Sequence, residues 1–151
     1  MRFFTAALVA AVAVLAVAAG APATPVKTDA QVLGHVTIDP DDPTIGYVTV
    51  RYICSPEFTH VWVSAKQAES RRPEHWLTEE GSGGAAAAWS HSHRNPTTCD
   101  GKWHVDTFTI DQVEWGQGEL EQGQAWVQFC LTSEAGPEGA VVWSSRFAEI
   151  K

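Results

Sequence analysis

Basic residues are scarce in this chain: 10 Lys and Arg stand against 18 Asp and Glu, a formal net charge of −8. Nucleic acids and anionic membrane surfaces both select basic patches, so neither is an expected partner. Cysteine is also sparse, with three residues. No internal repeat, long amphipathic helix or phosphate-binding glycine motif is visible. The run Gly81-Ser-Gly-Gly84 lacks the Lys-Ser/Thr and the strand-to-helix setting of a P-loop. Apart from one apolar run near the start, nothing is long enough to span a membrane, and no membrane insertion is expected. No cofactor is expected either.

What is present begins with that run. Met1-Arg2-Phe3-Phe4 is followed by an uncharged stretch from Thr5 to Ala19 and a small-residue exit, Gly20-Ala-Pro-Ala-Thr-Pro25. A basic start, an apolar segment of about 15 residues and an Ala-x-Ala site form a secretory signal peptide. Cleavage is expected before Thr24, making residues 1–23 the leader. Losing Arg2 lowers the basic count from 10 to 9, so the mature net charge becomes −9. The remaining chain is one domain's length. A short extension (24–31) precedes the domain (32–151), which is expected to be secreted and extracellular.

From there the sequence reads as short alternating runs rich in Val, Ile, Thr and aromatics, the pattern of half-buried strands. Strands are expected over Gln31–Asp39, Ile45–Cys54, Phe58–Gln67, Gly101–Ile110, Gln124–Ser133 and Ala140–Ile150, with a hairpin loop over Glu134–Gly139. Apolar rows fall on Val48, Val50, Tyr52 and Cys54, on Val61, Val63 and Ala65, and on Ala125, Val127, Phe129 and Leu131. On the fourth run, Trp103, Val105 and Thr107 are expected to point inward. Residues 68–98 interrupt the rhythm with a long polar insert, where a short strand or helical turn is expected around Ala85–Trp89. About six or seven strands without a long helix predict an all-β, antiparallel immunoglobulin-like β-sandwich.

Outside the cytoplasm two of the three cysteines are expected to pair. Cys54–Cys130 is the antibody-like choice, with Trp62 against the bond, but strand parity opposes it. The apolar row of the late strand puts Cys130 and Gln128 on its other face, so burying one would bury the other without partners. Cys54–Cys99 instead closes a loop of about 45 residues, worth roughly 4 kcal/mol in the chain-entropy model. The odd thiol, Cys130, is then free or available for an intermolecular bond, allowing a disulfide-linked dimer.

The segment Tyr47–Ala65, "YVTVRYICSPEFTHVWVSA", followed by Cys99–Val105, "CDGKWHV", resembles a family of small secreted bacterial immunoglobulin-like domains of unknown function. Its members show a strand ending in Tyr-x-Cys-Ser, a Val/Ser-rich strand, then Cys-Asp-Gly and another strand. The likeness covers roughly residues 34–105 and, more weakly, the C-terminal strands. It implies Cys54–Cys99 pairing and a sandwich, and carries no catalytic residues; Cys130 and the His/Trp-containing insert depart from the pattern.

Chemistry-bearing side chains concentrate in Trp89–His104, "WSHSHRNPTTCDGKWH". His91 and His93, two apart, with His104 and Asp100 or Asp106, are the residue types of a zinc site. A disulfide at Cys99 would remove the best ligand, and the polar neighbours describe a solvated loop, so these histidines are weak candidates. Ser90, Ser92, His93 and Asp100 offer triad residue types without a nucleophile elbow. Glu114, Glu119 and Glu121 lie in a Gly-rich acidic turn that reads as a solvated face rather than a glycosidase pair. No catalytic residue is assigned.

Tryptophan is the exception to this sparse chemistry, with seven residues. Trp62 and Trp126 fall opposite their strands' apolar rows, and Trp76, Trp89 and Trp115 lie in polar segments. Outward aromatics among polar groups are what protein-binding or sugar-stacking surfaces present. The expectation is therefore a non-catalytic extracellular binding or accessory module for a protein or polysaccharide partner. Its carbohydrate-binding form would use Trp62, Trp89 and Trp126; a small enzyme or metal-binding protein is the remaining alternative.

Overall fold

The structure is a computed structural model that describes residues 27–94, 98–113, 118–133 and 141–151. The leader (1–23) and the expected hairpin loop (134–139) lie outside them. Eight strands form: β1 (Asp29–Ile38), β2 (Gly46–Ile53), β3 (His60–Gln67), β4 (Ala88–Arg94), β5 (Trp103–Ile110), β6 (Gln112–Val113), β7 (Gly123–Thr132) and β8 (Val141–Ile150). Asp29 and Ala30, expected ahead of the first strand, already belong to β1. Among the described residues no helix is long and apolar enough to cross a membrane.

The strands join in the order β5-β2-β1-β8-β7-β3-β4-β6. The ladders are antiparallel except between β1 and β8, where Val36 faces Ile150 in parallel. There the Ile38 amide donates to the Lys151 carbonyl and the Lys151 amide to the Val36 carbonyl, each at 2.9 Å. A bulge allows β1 to serve two neighbours: its register with β2 shifts between Leu33 and Thr37. Gly34 sits in that shift at φ +58°, a left-handed conformation that L side chains resist. The edge strands β5 and β6 are separated only by Asp111, whose amide donates to the His91 carbonyl at 3.2 Å. One continuous segment thus ties the two ends of the sheet together and curls it over a single core. The all-β architecture expected from the alternation is observed in this form, as one curled mixed sheet.

The core follows the predicted parity on three strands. Val48, Val50, Tyr52 and Cys54, Val61, Val63 and Ala65, and Ala125, Val127, Phe129 and Leu131 are all buried. The halves of the sheet meet through Tyr52, Phe108 and Phe129, with ring centroids 5.9 Å apart for Tyr52–Phe129 and 5.4 Å for Phe108–Phe129. These are the offsets aromatic pairs favour.

β5 departs from expectation. Trp103 is 40% and Val105 58% exposed, and Thr107 also faces outward. The alternate row points inward: Phe108 and Ile110 fill the core, and the fully buried Tyr52 donates its hydroxyl to the Asp106 carboxylate. A buried phenol needs a partner, and two large apolar side chains outweigh one tryptophan in fixing the strand's face. Trp103 instead lies beneath Arg51, whose guanidinium carbon is 4.1 Å from the ring centroid, a cation–π arrangement.

Cys54 and Cys99 are disulfide-bonded, pinning the chain ahead of β5 to the end of β2. Cys130 is a free thiol, half-buried on the outer face as parity required.

The described part of the insert holds more secondary structure than the one short element expected. Short 3₁₀ turns form at His75–Thr78 and Ser82–Ala85, and the expected short strand is longer and later, as β4. Ala68, Leu77 and Ala86 form a second small core with Trp76, Trp89, Trp126 and Phe147, so the insert folds onto the outer face of the sheet. Its start is held by Arg71, whose carbonyl accepts the Gln124 amide at 2.9 Å and whose guanidinium meets Glu121 at 2.6 Å.

Candidate functional site

Cross-strand register turns the outer face of β4, β3, β7 and β8 into three rows. His93, Trp62, Cys130 and Trp143 stand side by side; next come His91, Ser64, Gln128 and Ser145; then Trp89, Lys66, Trp126 and Phe147. The insert crosses the third row. Where it stops short of the first, a cleft of about 500 Å³ remains. Trp62 and Lys66 line it from β3, Gln128 from β7, Trp143 from β8 and Trp89 from β4, with Thr78 to Gly81 and Gly83 from the insert. Its size lies within the range of small-molecule sites, roughly 300–1,000 Å³.

Two contacts set the wall. The Lys66 ammonium donates to Ser82 Oγ at 2.7 Å, and Ser82 Oγ donates to the Leu77 carbonyl at 3.0 Å, lashing the insert to β3. Gly83 approaches the Trp89 indole so closely that an added Cβ would overlap ring carbons Cζ3 and Cε3. Only glycine permits that approach.

The polar groups along the cleft are distinctive. Lys66 is 5% exposed, and burial pushes its ammonium below the usual lysine range. It has three N–H donors and spends one on Ser82. Gln128 is 8% exposed as a whole residue, and its side-chain amide, not shut off from solvent, faces the cleft that it lines. Its two N–H donors and its carbonyl are therefore open to a ligand that enters the cleft. Glu79 and Glu80 stand exposed at the rim.

The sequence-predicted candidates distribute unevenly. Trp62 and Trp89 both line the cleft. Trp126 does not: it packs on Phe147, centroids 5.0 Å apart, in the cluster beneath the insert, and Trp143 takes its place in the cleft. His91 and His93 lie on a strand and not in a solvated loop, and His91 is buried. Their third neighbour is His60, whose Nε2 lies 3.1 Å from His93 Nδ1. His104 is elsewhere, on β5, with Nε2 2.8 Å from Asp100 Oδ1. That contact, followed by Lys102, holds the Asp100 carboxyl down to about 2. The proposed His91–His93–His104 set is thus divided, and among the described residues no group of three or more His, Cys, Asp or Glu could hold a metal.

The triad set is divided too. Ser90 and Ser92 share the inner face, the former donating to the Thr44 carbonyl at 2.9 Å, while His93 points outward. Glu121 is occupied with Arg71 and Glu119 is exposed on another part of the surface; Glu114 and Trp115 lie outside the described residues. Sequence reasoning missed Lys66 and Trp143 as lining residues. Their outward parity was a signal, but only register shows that they share a cleft.

No protein-family model, curated protein or solved structure matches the chain. The family resemblance therefore rests on its own motifs, and the site on its own geometry.

Proposed function

We propose that this chain is an exported, non-catalytic binding module that holds its ligand in the cleft between Trp62, Trp89 and Trp143. The carrying observation is the lining: three indoles, with Gln128 and Lys66 between them, wall one opening on the outer face of the sheet. Sites for small ligands are lined mainly by apolar and aromatic side chains with a few polar groups that fix orientation. The sheet supplies five of the lining side chains, the preorganisation that keeps binding from being spent on ordering them. Export is supported by the leader-like residues 1–23 and by the Cys54–Cys99 bond, a feature of oxidising compartments.

Fragment screening by ¹H–¹⁵N NMR tests the site through the resolved indole N–H signals. Hits should move Trp62 and Trp143 while leaving Trp103, on the opposite half of the sheet, in place. Hits scattered over the surface, or centred on Trp103, would overturn the assignment. N-terminal sequencing of protein recovered from culture medium should begin at Thr24; retention of residues 1–23 in a cytoplasmic pool would overturn export.

A further inference from the structure

We propose that the cleft recognises a neutral pyranose unit of a glycan, an inference that rests on the binding-module reading and names its ligand class. Three features converge on it. The walls are indoles: Trp62 and Trp143 flank Cys130 in one cross-strand row, Trp143 is 51% exposed, and Trp89 closes the insert side. A flat aromatic face bordered by polar groups complements a ring that is apolar on its C–H face and polar at its edge.

The polar lining reads hydroxyls. Each hydroxyl can donate one hydrogen bond and accept others. Gln128 offers both donors and an acceptor, Lys66 offers N–H donors beyond the one given to Ser82, and the rim carboxylates of Glu79 and Glu80 only accept. Adjacent hydroxyls on one ring can satisfy this mixture together. A purely accepting ligand would leave the carboxylates idle, and a purely donating one would leave Lys66 unmet.

The cleft carries charge of both signs, which favours neither an anion nor a cation throughout. Lys66, desolvated among the lining residues, repels a cationic ligand. The chain's net charge of −8 and the paired rim glutamates repel an anionic one. A neutral polyol meets neither barrier.

The test is calorimetric titration of the mature protein with cello-, xylo-, malto-, laminari- and N-acetylchito-hexasaccharides, beside hexagalacturonate, hexalysine and an uncharged hexapeptide. The expected result is saturable binding of at least one neutral hexasaccharide, weakened about tenfold or more by Gln128→Ala and by Trp143→Ala, as truncating a central aromatic anchor does. Trp103→Ala should bind as the parent does. Should Gln128→Ala fail to fold, the half-exposed Trp143 still decides. Absence of binding by every neutral sugar at millimolar concentration overturns the proposal, as does binding insensitive to both substitutions. Binding confined to the charged oligomers or the peptide overturns it as well. If fragments nevertheless occupy the cleft by NMR, the ligand class falls while the binding site stands; if they avoid it, both fall.

Discussion

Replacing Gly83 with alanine probes the contact that shapes the cleft. Gly83 is buried in the Ser82–Ala85 turn with its backbone against the Trp89 indole. The new Cβ would overlap two ring carbons and stand 2.6 Å from a third, Cη2. Carbon–carbon contacts settle at about 3.5–4.0 Å, so the turn must lift or the indole must swing by on the order of 1 Å. Overpacking of this kind costs about 1–3 kcal/mol. The alternative, lifting the insert altogether, bounds the loss. It would expose Leu77, worth about 1.5–3 kcal/mol, and break the charge-assisted Lys66–Ser82 bond. A destabilisation of about 2 kcal/mol in urea is expected, from the middle of the overpacking range. Gly34→Ala is the control, because Gly34 sits at φ +58° with nothing within 4 Å of its Cβ position. Its loss, about 1–2 kcal/mol of left-handed strain, is similar in size but local to β1. Stability alone therefore does not separate the two variants; the Trp89 indole N–H signal does. It should move in Gly83→Ala and stay in Gly34→Ala. Parent-like stability together with an unmoved Trp89 signal in Gly83→Ala would refute the contact.

Replacing both Cys54 and Cys99 with alanine releases a loop spanning a sequence separation of 45. Chain entropy sets the expected loss at about 4 kcal/mol in urea unfolding, and a loss below about 1 kcal/mol would contradict the restraint ascribed to the bond. Tyr52→Phe keeps the ring among Phe108, Phe129 and His104 but deletes the hydroxyl bonded to Asp106. Loss of a hydrogen bond to a charged group predicts about 1.5–3 kcal/mol by denaturant midpoint, and an unchanged midpoint would count against it. Asp100 should titrate near 2 when its carboxyl carbon is followed by NMR, returning toward 3.8 in His104→Ala. Its folded pKa is depressed, so the stability it contributes is present above pH 3.8 and lost as pH falls from there toward 2. An ordinary midpoint in the parent protein would remove the His104–Asp100 contact from the description.

The sequence made strand interiors legible because period-two burial needs no knowledge of neighbours. Val61, Val63 and Ala65, or Val127 and Phe129, advertise their face locally. Parity also favoured the disulfide partner of Cys54, since Cys130 shares an outward row with Gln128. It failed on β5, where both alternating rows hold aromatic residues: Trp103 on one and Phe108 on the other. Deciding between them required Tyr52, fifty-odd positions away on the neighbouring strand, whose buried hydroxyl needs Asp106. The all-β class was readable for the same local reason, but curling was not. The closing element is Asp111, a single residue between two edge strands, and nothing in its own identity marks it as a corner.

The cleft was illegible because its lining comes from β3, β4, β7, β8 and the insert, each placed by long-range pairing. A slip of one residue between β7 and β8 would turn Trp143 to the other face and remove it from the row of Trp62. The outward parity of Gln128 was correctly read, and solvation would be the ordinary fate of such a position. It is buried here because large neighbours surround it and the insert roofs the adjacent row, with Gly83 seated against Trp89 and Ser82 tied to Lys66. The same polar insert that looked like an interruption of the strand rhythm is thus what turns an open outer face into a cleft. Three indoles and an amide gathered by that route around one opening are the physical reason to look for a ligand there and not at the histidines.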